Sequence, residues 1–184
     1  MDLWQLPRSI PVGGREIPIH CDFRDILEIF SYLQDPNTPE FIRWQIGLGL
    51  FYDAPIPREY MAEAMEKMAQ FLQAGQEGKP GPKLLDWQKD APLIVADVNK
   101  AAGQEIRALP FVHWWTFLSW FHAIGEGQLS TVVSIRDKLR RGKRLDQTEK
   151  EFYRQNRGLV ELPKSYTAEE IAEREKLNAL LARK

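Results

Sequence analysis

Apolar residues recur along most of this chain at the three- and four-residue spacing of helices, after a short alternating stretch near its start. Over residues 9–20, apolar and polar residues alternate around the pair Gly13-Gly14. This pattern predicts a β-hairpin. Pro11 and Pro18 have no N–H group to donate, so the predicted strands are edge-like and the ribbon is small.

Three helices are predicted in the next part of the chain, before residue 75. Asp22 can cap the first, a Thr38-Pro39-Glu40 start opens the second, and Pro55 and Pro57 separate the second from the third. Their apolar stripes are Phe23, Ile26, Leu27, Phe30 and Leu33, then Phe41, Trp44, Leu48 and Phe51, then Met61, Ala64, Met65, Met68, Phe71 and Leu72.

Three glycines and two prolines fall within residues 75–82, which predicts an internal linker at about residues 75–85. Further helices are predicted from Asp90 to Gly103, over 110–123 and over 128–140. Capping-box patterns then open one helix at Asp146 and a terminal one at Thr167. We therefore predict a mainly α fold: one compact helical domain over 1–163 with a small N-terminal β-hairpin, and a loosely attached C-terminal helical tail over 164–184.

Charge and composition narrow the class of protein. The 25 basic and 26 acidic residues give a net charge of −1, which argues against bulk affinity for nucleic acid or an anionic membrane. The single cysteine, Cys21, excludes an intrachain disulfide. The longest apolar-rich run, 111–124, is shorter than the roughly 20 residues that span a bilayer. The first residues lack a secretory signal pattern. We expect a soluble intracellular protein with no membrane partner.

No residue pattern predicts catalysis. Cys21 has His20 and Asp22 as neighbours, which would suit a thiol nucleophile with its base. Adjacent strand residues point to opposite faces, however, so these side chains are not expected to meet. His113 and His122 lie nine apart, on roughly opposed helix faces, and no metal motif accompanies them. The glycine pairs at 47/49 and 125/127 do not follow a buried strand and do not extend to GxGxxG, so they do not predict a phosphate-binding loop. We expect a non-enzymatic protein with no catalytic residues, cofactor or metal.

A dense basic run follows the 128–140 helix and has three interpretations. It contains six cations in nine residues: Arg136, Lys138, Arg140, Arg141, Lys143 and Arg144. The favoured interpretation is a solvated helix end, since cations stabilise a helix C-terminus. A surface for an acidic protein partner comes second, and a nucleic-acid surface third.

Two further sets of residues are candidates for protein contacts. Met61, Met65 and Met68 form a methionine face, which fits either a core or an adaptable groove for a partner helix. Leu177, Leu180 and Leu181 form a thin apolar seam in the terminal tail. The aromatic helix over 110–123 is apolar nearly all round, which favours a central core helix, with exposed rings as interface anchors as the alternative.

Several segments together resemble a bacteriophage tail-morphogenesis family known as gene product fifteen. The shared features are the strand–Gly-Gly–strand followed by Asp22-Phe23-Arg24, the Leu50-Phe51-Tyr52 segment, Phe71-Leu72-Gln73-Ala74-Gly75, Asp90-Ala91-Pro92-Leu93-Ile94, His113-Trp114-Trp115-Thr116-Phe117, and Ile135-Arg136. The resemblance covers about residues 8–160, and its most specific part is the Trp-Trp segment. It does not cover the tail beyond about Pro163.

This resemblance implies a tail assembly chaperone that binds the tape measure protein, and perhaps the major tail tube protein, and keeps the tape measure soluble. Such a protein acts in the cytoplasm of the bacterial host cell and is absent from the mature virion. A homo-oligomer is one of its possible states. Two alternatives stay open: a structural virion component such as a head–tail connector or tail-completion protein, and a small nucleic-acid-binding factor that uses the basic run.

Overall fold

The architecture is mainly helical with one small hairpin, which confirms the predicted fold class. The structure is a computed structural model and describes residues 4–74 and 81–162. Its elements are β1 Ser9–Val12, β2 Arg15–Pro18, α1 Phe23–Leu33, α2 Glu40–Phe51, α3 Met61–Leu72, α4 Ala91–Ala102, α5 Trp114–His122, α6 Gln128–Arg140, α7 Gln147–Gln155 and α8 Arg157–Val160. The predicted terminal helix and most of the predicted linker lie outside the described residues.

The hairpin is closed by the two glycines that the sequence places at its tip. Gly13 and Gly14 have φ values of +56° and +73°, the positive values that a two-residue I′-type turn requires. The Ile19 N–H donates to the Arg8 carbonyl. Because hydrogen-bonded and non-hydrogen-bonded pairs alternate along an antiparallel ladder, the backbone nitrogen of Pro18 points away from the partner strand. By the same alternation Pro11 faces outward, and neither proline interrupts the pairing of β1 with β2.

The chain divides into two compact units. One, the hairpin unit, comprises Pro7–His20 and Arg24–Ala69 in its described part. The other, the aromatic unit, comprises Cys21–Phe23 and Gln70–Leu162 together with the described residues before Pro7. The single domain expected over 1–163 stays a prediction.

The core of the hairpin unit joins the ribbon to three helices through residues that are fully buried, among them Ile10, Ile26, Phe51 and Met68. Gly47 of α2 is buried here, and a Cβ added to it would lie 3.2 Å from Leu33 and 3.4 Å from Met68. A glycine at this position therefore allows the close helix approach that the sequence indicates, whereas a Cβ at Gly49 would contact nothing within 4 Å.

The aromatic unit is organised by the helix that the sequence assigns to the core. Trp114, Trp115 and Phe117 of α5 are buried, and the Phe117 ring stacks on Phe23 with centroids 4.8 Å apart. The α5 N-terminus is capped by His113, whose Nδ1 accepts a hydrogen bond from the Trp115 N–H at 3.1 Å. The ring stacking and the N-terminal cap together help to hold this nine-residue helix in place.

The predicted helix ends are largely as the sequence indicates. Gly103 ends α4 and Gly142 follows α6, both with positive φ. After α6, the Gly142 N–H donates to Leu139 and the Lys143 N–H to Lys138, which is a Schellman arrangement. Asp146 caps α7 in the predicted capping box with Glu149. No helix in the described residues is long and apolar enough to cross a membrane.

Candidate functional site

An apolar groove lies between the first turns of α2 and α3 in the hairpin unit. It has a volume of about 320 Å³. Its walls are Glu40, Phe41, Trp44 and Gln45 of α2 and Met61 and Met65 of α3. Because four of these six side chains are large and apolar, the groove offers a hydrophobic surface with little hydrogen-bonding capacity.

The groove exists because α2 has more apolar residues than its packing can cover. Leu48 and Phe51, in the second half of the helix, are buried in the core. In the first half, Phe41 and Ile42 are adjacent, so they point in directions about 100° apart. Phe41 is 63% exposed and Ile42 is 40% exposed. The Phe41 side, together with Trp44, forms the wall of the groove.

The opposite wall comes from the flank of the methionine face. Ala64 and Met68 occupy the central stripe of α3 and are fully buried. Met61 and Met65 lie one turn apart on the edge of that stripe and are half-buried. Thioether side chains are flexible and polarisable, so this wall can adapt to apolar groups of different shape.

Glu40 is the one charged residue among those that line the groove. It lies in the first turn of α2, where a carboxylate is favoured by the helix dipole. The groove is therefore apolar along its length and anionic at the N-terminal end of α2.

A second cavity, of about 400 Å³, lies beside the hairpin in the same unit. Its lining mixes charged and apolar side chains, with Arg15, Glu16 and Glu59 beside Pro55 and Tyr60. This mixed lining includes no cluster of ionisable side chains that points to a specific chemistry, so the α2–α3 groove is the stronger candidate.

Met68 requires a correction to the predicted interaction residues. Its side chain is 0% exposed and contributes to the core of the hairpin unit, so it cannot contact a partner in this structure. Met61 and Met65 line the groove, and their role in partner binding stays a prediction. The three methionines share one helix face, but that face is too wide for the core to cover completely.

Arg136, another of the predicted interaction residues, is also buried. Its side chain is 4% exposed and forms a bidentate ion pair with Asp90, at 2.6 and 2.8 Å, inside the aromatic unit. The sequence places Arg136 in the basic run because it precedes the other cations on α6. The 100° rotation per residue instead directs it into the core.

Two carboxylates pair with three of the five remaining cations of the basic run. Lys138 pairs with Glu149 at 2.5 Å, and Arg140 and Arg141 share Asp137 at 3.4 and 2.9 Å. Although partial burial opposes it, the pairing with these two guanidinium groups lowers the pKa of Asp137. Lys143 and Arg144, both exposed, follow the helix end. The dense run of the sequence is thus a smaller cationic patch in the fold.

The predicted seam of Leu177, Leu180 and Leu181 lies outside the described residues. Phe41 and Trp44, by contrast, are groove residues that the sequence reasoning assigned only to a helical stripe. The apolar residues Phe41, Ile42 and Trp44 in the first half of α2 were the available signal, since together they spread round more of the helix than one core face.

Metal binding is not indicated in residues 4–74 and 81–162, where no group of three or more His, Cys, Asp or Glu side chains is placed to hold an ion. Cys21 is buried. His20 lies 3.7 Å from Asp53, and both side chains are well exposed. The groove, whose lining is mainly apolar, is therefore the candidate site that we consider further.

The family model described as Bacteriophage Gp15 protein matches residues 4–162, which is most of the chain. No curated protein and no solved structure matches the chain.

Proposed function

The chain belongs to the Bacteriophage Gp15 protein family, and we propose that it is a tail assembly chaperone that binds the tape measure protein. In this role it keeps the tape measure soluble until tail tube subunits polymerise around it. The exposed apolar groove of α2 and α3 is the observation that carries the proposal.

The groove suits an amphipathic helix as its occupant. A helix presents apolar side chains at i, i+3 and i+4 as a narrow stripe, and such a stripe docks into an apolar groove between two helices. Phe41, Trp44, Met61 and Met65 provide aromatic and thioether contacts of this kind. A tape measure is long and helical, so it offers many such stripes that are otherwise exposed to water.

The proposal extends to a second partner, the oligomeric state and the location of the protein. The tail tube protein is a second partner, and homo-oligomerisation would place several grooves along one tape measure. The chain needs no catalytic group or cofactor for this work. It acts in the cytoplasm of the bacterial host cell and leaves before the virion is complete.

Co-expression with the tape measure protein tests the proposal. We expect a soluble complex that survives affinity capture through this chain and elutes as one species in size-exclusion chromatography. Failure to capture the tape measure, with the tape measure remaining insoluble, would contradict the chaperone function. Mass spectrometry of purified virions adds an independent test, because stoichiometric presence there would favour a structural virion component.

Two neighbouring substitutions test the groove itself. Phe41→Ser removes a groove wall, whereas Ile42→Ser removes an exposed apolar side chain from the same helix that does not line the groove. We expect Phe41→Ser to weaken tape measure binding roughly tenfold, equivalent to about 1.4 kcal/mol, and Ile42→Ser to leave it unchanged. Circular dichroism confirms that both variants fold. Equal effects would place the binding surface elsewhere.

A further inference from the structure

The residues that line the α2–α3 groove come in pairs that are one helical turn apart. These pairs are Glu40 and Trp44, Phe41 and Gln45, and Met61 and Met65. Side chains four residues apart are neighbours on a helix surface. The groove therefore extends over only one to two turns of each helix, or roughly 5–10 Å.

The volume of the groove limits how many side chains a partner can insert. The groove encloses about 320 Å³. At about 30 Å³ for each water-sized group, this volume holds about ten such groups. A leucine side chain contributes about four groups of this size, so two of them fill most of the groove. A partner helix is therefore expected to insert two apolar side chains, one turn apart.

Glu40 places a charge at one end of this short groove. It is exposed, and it forms no ion pair with another residue in the part of the chain that the structure describes. Its full negative charge exceeds the roughly half positive charge of the α2 N-terminus beside it. Because Glu40 lies one turn before Trp44, a partner group that contacts Glu40 lies about one turn from the side chain that contacts Trp44.

From these observations we propose that the groove recognises tape measure helices by a three-residue pattern: two apolar side chains one turn apart, and a lysine or arginine one turn beyond them. The apolar pair inserts between Trp44 and the two methionines, and the cation contacts Glu40. The tape measure as the source of the helix rests on the proposed function, whereas the pattern follows from the groove.

The charge at the edge of the groove makes binding selective. Apolar contact alone accepts any amphipathic helix of suitable width. A cation opposite Glu40 favours helices with basic flanks, and a carboxylate at the same place disfavours helices with acidic flanks. A chaperone with this groove leaves acidic amphipathic helices of other proteins unbound.

Charge-swapped peptides test the pattern on the full chain. The probe is a fluorescein-labelled, alanine-based helix with two leucines one turn apart. It has lysines one turn before and one turn after the leucines, so that it can dock in either direction. The comparison peptide has glutamates in place of the lysines. In fluorescence anisotropy at low salt we expect the lysine peptide to bind about tenfold more tightly. The preference should decrease at about 1 M salt, where the screening length falls to about 3 Å.

Substitutions at position 40 provide the matched comparison. Glu40→Gln should remove most of the preference for the lysine peptide, and Glu40→Lys should reverse it. Glu28→Lys makes the same change of charge at an exposed position of α1 that does not line the groove, so it should keep the preference. Circular dichroism confirms that the variants fold. Because Glu40→Lys opposes the helix dipole, Glu40→Gln preserves the test if the lysine variant unfolds.

Several results would overturn the proposal. It fails if the two peptides bind equally, if neither binds, or if Glu28→Lys changes the preference as much as Glu40→Lys does. Binding of the lysine peptide that survives Phe41→Ser places the peptide outside the groove and has the same consequence. A dimer in size-exclusion chromatography that Phe41→Ser dissociates would make a second copy the occupant, and it also overturns the proposal.

Capture of the tape measure separates this proposal from the proposed function. A protein that captures the tape measure but shows no charge preference retains the chaperone function and loses the recognition pattern. A protein that prefers the lysine peptide but captures no tape measure retains the pattern and contradicts the chaperone function.

Discussion

The Arg136 guanidinium uses all five of its N–H groups inside the aromatic unit. Nε donates to the Val160 carbonyl, one terminal nitrogen to Asp90 and Leu84, and the other to Asp90 and Leu159. These bonds join α6 to the start of α4 and to α8. Arginine is the only side chain with this planar set of donors.

Replacing Arg136 is therefore expected to destabilise the fold. Arg136→Met leaves the Asp90 carboxylate and three carbonyls without these donors, which should cost about 3–5 kcal/mol in the free energy of unfolding. Urea denaturation measures the loss. Arg144→Met, at an exposed position, is the control and should change stability by less than about 0.5 kcal/mol. Similar stabilities for the two variants would contradict this account of the ion pair.

Tyr52 provides a pH-dependent test in the hairpin unit. Its hydroxyl is buried and donates to the Ala64 carbonyl at 3.0 Å. Burial, with a smaller effect of the nearby Glu63 carboxylate, raises the pKa of this hydroxyl above its ordinary value of 10.0. Since the folded state holds the proton more tightly, the stabilisation is complete below about pH 10 and is lost as the pH rises through the folded pKa.

Tyr52→Phe should separate this effect from the other alkaline titrations. At neutral pH the variant loses one hydrogen bond, or about 1 kcal/mol. Its free energy of unfolding should then fall less steeply than that of the parent protein above about pH 10. Urea denaturation at several pH values compares the two slopes. Parallel slopes would show that Tyr52 does not contribute to alkaline unfolding.

At the scale of elements, α5 stabilises the end of α3. The Trp115 indole N–H donates to the Phe71 carbonyl at 2.9 Å, and the Trp114 indole N–H donates to the Leu72 carbonyl at 3.0 Å. The last carbonyls of a helix have no N–H partner within the helix, and the two indoles donate to two of them. Each of the adjacent tryptophans therefore contributes one hydrogen bond to the end of α3.

Trp115→Phe should reveal the value of this contact. The phenyl ring retains much of the apolar surface but loses the hydrogen bond to the Phe71 carbonyl, which keeps the Ala74 N–H as a donor. The loss of this one bond should cost about 0.5–1.5 kcal/mol. Trp120→Phe is the control on the same helix, because Trp120 is half-buried and its indole donates no hydrogen bond within the described residues. Thermal unfolding compares the two. Equal losses would mean that ring size alone matters.

For the molecule as a whole, charge pairing predicts weak binding to nucleic acid. Arg136 is buried, and Lys138, Arg140 and Arg141 are paired with carboxylates. In fluorescence anisotropy we expect no binding to duplex DNA or RNA tighter than about 10⁻⁴ M at physiological salt, the weak end of non-specific binding. Tighter binding that weakens steeply with salt and is lost in Lys143→Glu/Arg144→Glu would restore that function.

The prediction of the elements from the sequence succeeded where local chemistry decides the outcome. Gly13-Gly14 fixes the hairpin turn through positive φ. Gly103 and Gly142 end helices for the same reason, and Asp146 caps α7. Asp90 shows the limit. It occupies the N-cap position of α4 without a side-chain capping bond, because its carboxylate pairs with Arg136.

Periodicity, turn residues and motifs are local properties of the chain, so they are sufficient to predict the mainly α class, the hairpin, most helix boundaries and the family. Which side of each apolar helix is covered depends on the packing of the fold. This packing buried Met68, left Met61 and Met65 at a groove, and directed Arg136 into the core. The physical reason is that burial depends on neighbours distant in sequence, and helical spacing specifies a stripe without specifying what packs against it.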